Sequence, residues 1–147
     1  MTLVLVDTNL LLRLGDDGSS HQPVATQAIA LLRLRGDRPC ITAQNLIEFW
    51  AVATRPREAN GLGWTTQHTA TEIEQLRNKF QLLEDSPAIL GNWLMLVTTH
   101  DLKGKRVHDT RLVAVMQAHG VTHLLTFNTD DFKAFSNITL LHPKDIS

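Results

Sequence analysis

Five acidic side chains stand where an α/β protein does its chemistry. Asp7 ends the apolar run Leu3-Val4-Leu5-Val6, which reads as a strand, and ligands of open α/β sheets gather beyond the carboxyl ends of strands. Asp7 is also placed to cap a helix over Leu10–Leu14. Asp109 shares a helix face with Leu112, Val113 and Met116. That face should be buried, and a buried carboxylate needs a cation, a metal or several donors; the other reading is an acid favoured at a helix start. Glu48 belongs to the one polar strip, Gln44, Asn45, Glu48 and Arg55, of a helix otherwise apolar nearly all round. A solvated stripe and a site acid are both open there. Asp130 and Asp131 follow a third strand within Thr126-Phe127-Asn128-Thr129-Asp130-Asp131-Phe132, as a turn or as part of the same edge as Asp7. Three or four converging carboxylates cannot all stay ionised without a cation, and the hard ions Mg²⁺ and Mn²⁺ suit all-oxygen sites. No cysteine nucleophile and no Ser–His arrangement can be placed, so metal-activated water is the chemistry this set supports.

Positioning these acids requires strands alternating with helices. Strands are expected at Leu3–Val6, Pro39–Thr42, His123–Phe127 and Ile138–Leu141, mostly apolar without alternation, as for strands covered on both faces. A helical period runs through Val24, Ala28, Leu31, Leu32 and Arg35, from Pro23 to Gly36. Ala43–Arg55 follows the N-cap candidate Thr42 and stops at Pro56. Ile73, Leu76, Phe80 and Leu83 mark another helix, and Ile89, Trp93, Leu96, Val97 and His100 one more, opened by Ser86-Pro87. His108–His119 ends at Gly120. The pattern predicts an α/β sandwich with a mainly parallel central sheet. The stretch from about 66 to 102 predicts a helical hairpin packed beside it.

A length of 147 residues predicts one domain. Fourteen Lys and Arg against fifteen Asp and Glu give a net charge of −1, which excludes coating of nucleic acid by bulk charge. The single cysteine, Cys40, excludes an internal disulfide and a cysteine-based zinc site, and points to a reducing, cytoplasmic compartment. No apolar run approaches a bilayer span, and Met1–Val6 is too short for a signal peptide, so no membrane role is expected.

Four blocks in order resemble the PIN-domain family. They are Leu3-Val4-Leu5-Val6-Asp7-Thr8-Asn9, Asn45-Leu46-Ile47-Glu48-Phe49-Trp50, His108-Asp109-Thr110-Arg111-Leu112-Val113-Ala114, and Leu124-Leu125-Thr126-Phe127-Asn128-Thr129-Asp130-Asp131-Phe132. Within the family the chain is most similar to VapC-type toxins of bacterial toxin–antitoxin pairs. The resemblance implies a three-layer sandwich of four to five strands over residues 1–147, and a Mg²⁺- or Mn²⁺-dependent endoribonuclease. It carries Asp7, Glu48 and Asp109 over as metal-binding acids. Asp131 matches the fourth, with Asp130 its neighbour and competitor. Thr8, Asn9, Thr126, Asn128 and Asp130 would orient carboxylates or water by hydrogen bonds. The family resemblance further implies a homodimer and an antitoxin whose C-terminal segment lies over the active site.

An RNA substrate needs local positive charge. Lys103, Lys105 and Arg106 precede Asp109 and should rim the same edge, as an RNA contact or as a solvated loop. Arg13 follows Asp7 by six residues, and Arg55 and Arg57 follow the helix of Glu48. The seven histidines have no zinc-site spacing; His100 is expected in the core, and Trp64 is the tryptophan expected at the surface. A phosphatase with Asp7 as nucleophile would need an acid at position 9, which is Asn. A PIN fold that binds RNA or protein without cutting is the non-enzymatic alternative, and the presence of all four acidic blocks argues against it.

Overall fold

A computed structural model describes residues 1–147. Strand β1 (Leu3–Val6) lies at the centre of a five-stranded sheet with β2 (Arg38–Thr42), β3 (Gln81–Leu83), β4 (His123–Leu125) and β5 (Thr139–Leu141). The order is β3-β2-β1-β4-β5 and every pairing is parallel. The chain leaves β1 to one side for β2 and returns to the other side for β4, so the strand order reverses at β1. That reversal opens a crevice at the carboxyl end of β1.

Successive side chains of a strand point to opposite faces, and β1 supplies both layers of core. Val4 and Val6 join Ile41 and Leu125 beneath α1 (Thr8–Gly15), α2 (Gln22–Leu34), α3 (Ala43–Thr54) and α4 (Thr66–Lys79). Leu5 joins Cys40 and Leu124 beneath α5 (Ala88–Thr99) and α6 (Arg106–His119). The result is the expected three-layer sandwich with a parallel sheet.

The helical hairpin over 66–102 is not formed. Phe80 and Leu83 fit a helical period, but Phe80 immediately precedes and Leu83 ends the three-residue edge strand β3, where Leu83 pairs with Thr42. Leu76 on α4 packs into the first core layer and Ile89 on α5 into the second. The two helices therefore lie on opposite faces of the sheet, and α5 packs against α6 instead. No helix is long and apolar enough to cross a membrane.

Candidate active site

Asp7 leaves β1 with extended backbone, φ −71° and ψ 155°, and caps α1. Its own N–H donates to the Leu125 carbonyl at 2.9 Å, which ties the end of β1 to β4. One carboxylate oxygen, Oδ1, accepts the Thr8 N–H at 2.7 Å. The other, Oδ2, accepts the Thr126 hydroxyl at 2.8 Å and the Asn9 amide at 3.4 Å. Asn9 also donates to Thr126 Oγ1 at 3.2 Å and accepts the Phe127 N–H at 3.3 Å, so α1 and the end of β4 are stitched across the crevice.

Glu48 is held by the same layer. Thr8 Oγ1 donates to its Oε1 at 2.8 Å and accepts the Asn45 amide at 3.0 Å. Asn45 is fully buried and closes a reciprocal capping box with Thr42 at the start of α3. Gln44 Nε2 reaches Glu48 Oε2 at 3.4 Å and the His108 carbonyl at 2.7 Å, and Gln44 Oε1 accepts from Arg111 at 3.2 Å. Gln44 therefore locks α3 to the first turn of α6, which carries the half-buried Asp109. Sequence reasoning placed Gln44 and Asn45 only in a polar strip. The spacing of Thr42 and Asn45 as cap and third helical residue was the available signal.

The acids act on one another's charge. Burial pushes the Asp7 carboxyl from 3.8 up to about 6. Hydrogen bonds from Thr126 and Thr8 oppose this, and the charges of Asp109 and Glu48 add to it. Asp109 is raised by burial first, then by Asp131 and Glu48, against the lowering pull of His108 and Arg106. The charge of Asp131 thus reaches Asp109, whereas Asp130 is turned to solvent in an ion pair with Lys133 at 2.5 Å. Asn128 begins the 3-10 turn Thr129–Phe132, its N–H donating to Thr126 Oγ1 at 3.0 Å. Lys103 and Lys105 are exposed in the turn before α6, and Arg106 is its first residue.

None of Asp7, Glu48, Asp109 and Asp131 is in an ion pair with Lys or Arg. A set of carboxylates without a paired cation is the donor chemistry of a hard divalent ion. As the side chains stand, no three His, Cys, Asp or Glu are drawn together closely enough to hold one. The donor set fits Mg²⁺ or Mn²⁺ in kind, and holding an ion requires the carboxylates to draw closer than they stand.

Two aromatic expectations change. His100 is exposed at the end of α5, edge-on to Phe135 at 5.2 Å, and is no core histidine. Trp64 is half-buried between Phe49 and His68, while Trp50 faces outward.

The family model for the PIN domain matches residues 4–138. The chain belongs to the PIN-domain family. Solved structures of similar fold include VapBC2 from Rickettsia felis bound to a promoter DNA fragment, at TM-score 0.73 and 14% identity over 96% of this chain and 98% of that one. A toxin–antitoxin complex from Klebsiella pneumoniae matches at TM-score 0.66 and 23% identity, over 95% and 97% of the two chains. VapC20 of Mycobacterium tuberculosis, a toxin that cleaves the sarcin–ricin loop, matches at TM-score 0.66 and 18% identity, over 90% and 95%. At these identities the likeness is one of fold. Comparison with curated proteins gives no match.

Proposed function

We propose that this PIN domain is a metal-dependent endoribonuclease and the toxin of a toxin–antitoxin pair, working in the cytoplasm as one catalytic domain over residues 1–147. The observation that carries the reading is a chain of carboxylates that feel one another's charge, Asp7 with Glu48 and Asp109, and Asp109 with Glu48 and Asp131, none of them in an ion pair with Lys or Arg. Proteins of similar fold, a sarcin–ricin-loop-cleaving toxin and a toxin–antitoxin complex, support an RNA substrate and an antitoxin partner. The homodimer implied by the family resemblance belongs to the same reading.

Asp7, Glu48, Asp109 and Asp131 would hold Mg²⁺ or Mn²⁺. Such an ion, when bound, supplies the positive charge that acidifies water for in-line attack on a phosphodiester and steadies the charge on phosphate. The chain's own residues prepare for it. Thr126, Asn9 and the Thr8 N–H fix both oxygens of Asp7, and Thr8 and Gln44 fix those of Glu48. Lys103, Lys105 and Arg106 would draw the RNA backbone to the edge beside Asp109.

Purified protein should cut RNA with Mg²⁺ or Mn²⁺ and stop in EDTA, and Asp109→Asn should abolish the cut. Cleavage that persists in EDTA would contradict the proposal. A non-catalytic binding module is the second reading, favoured by the absence of any three acids drawn to one point. It predicts RNA or protein binding with no metal-dependent cleavage.

A further inference from the structure

Beside the carboxylates a cleft of about 320 Å³ opens between α1, the end of α3 and the loop after it. Asn9 forms the wall it shares with the acids, because the same amide touches Asp7 and Thr126. Arg13 lines the cleft four residues further along α1, one turn or about 5.4 Å from Asn9 and on the same helix face. Its guanidinium meets Asp16 only at 3.9 Å, and it makes no other ion pair. Arg57 lines the opposite wall, exposed and in no ion pair.

The loop carrying Arg57 is built to keep its place. Backbone N–H groups of Asn60, Gly61, Leu62, Gly63 and Trp64 all bond carbonyls in the segment from Val52 to Arg57. Gly61 runs so close to Arg55 that a Cβ there would sit 2.0 Å from the Arg55 carbonyl oxygen. Two guanidiniums thus face one cleft from separate, fixed elements, against the single carboxylate of Asp16. Planar guanidinium forks match phosphate oxygens in pairs.

We propose that this cleft is a phosphate subsite, in which Arg13 and Arg57 grip an RNA backbone phosphate neighbouring the one that is cut. The proposal rests on the nuclease reading for its substrate. It assigns the two arginines the placing of the strand across the carboxylates.

The test uses the full chain and a short fluorescent single-stranded RNA. Binding is read by anisotropy in Ca²⁺, and cleavage in Mg²⁺. The Arg13→Gln, Arg57→Gln double variant should raise Kd and KM by roughly tenfold per arginine. The slope of log affinity against log salt should become shallower by about 1.4, for two strand contacts. A neutral methylphosphonate linkage next to the cut position should weaken wild type and leave the double variant unaffected. Lysine at both positions should keep the salt slope, and Arg38→Gln, at the far edge of the sheet, should change nothing. Wild-type Kd and salt slope in the glutamine double variant would overturn the subsite, as they would if the cleft served a protein partner. Wild type that binds RNA without cutting would sink the nuclease reading alone, with the binding slope still deciding the subsite. Wild type that binds no RNA would overturn both.

Discussion

Asp7 does two jobs with one carboxylate. It caps α1 through the Thr8 N–H, and it faces Glu48 and Asp109 across the crevice. Its hydrogen bonds favour the charged form, yet burial outweighs them and holds the group at about 6, against 3.8 for a free carboxyl. A folded pKa above the unfolded one means that protonation favours the fold. The contribution is therefore fully present below about pH 4 and is lost as pH rises through about 6. Its size is about 3 kcal/mol. In EDTA, wild type should lose stability across this window, and Asp7→Asn should lose much less. Urea melts at a series of pH values check this; parallel curves would assign the titration elsewhere.

Helix α3 shows what hydropathy alone can and cannot reveal. Its boundaries and its Thr42 cap were readable from residue types. Its orientation was not: Ile47 is 70% exposed, while Gln44 and Asn45 are buried. Gln44 and Asn45 turn inward because their groups are satisfied by the His108 carbonyl and by Thr8, partners remote in sequence that no local pattern displays. Edge strand β3 was hidden for a different reason. Phe80 and Leu83 are spaced as well for a helix as for a short strand, and only pairing with Thr42 and its neighbours decides. Asp7 as the cap after β1 and Asp109 in the first turn of α6 were legible from chain order and the α/β pattern; Gln44 as the clamp between α3 and α6 was not. Asn45→Ala should remove the Asn45 side-chain arm of the capping box and the anchor of Thr8 while leaving the Thr42 cap on the backbone, costing about 2–4 kcal/mol in denaturant unfolding. A loss below about 1 kcal/mol would mean that α3 is held by its apolar contacts alone.

At the scale of the whole molecule, a net charge of −1 conceals opposed local fields. Asp7, Glu48, Asp109 and Asp131 act on one another's charge, and Lys103, Lys105 and Arg106 lead into the helix of Asp109. Replacing those three with Ala should weaken RNA binding and flatten its salt dependence by about 2 in slope, at about 0.7 per strand contact. An unchanged slope would make them a solvated turn. The central claim is that four separate elements bring their carboxylates to one cation site. Thermal melting of wild type and Asp109→Asn, each in EDTA and in Mg²⁺, tests it most directly. Without metal the variant loses a charge from a repelling cluster, so it should melt at or above wild type. Mg²⁺ should then stabilise wild type more than the variant, since an ion that binds only the folded state adds stability by mass action. A variant that melts well below wild type in EDTA, with the same response to Mg²⁺, would contradict the account and make Asp109 a structural acid at the start of α6.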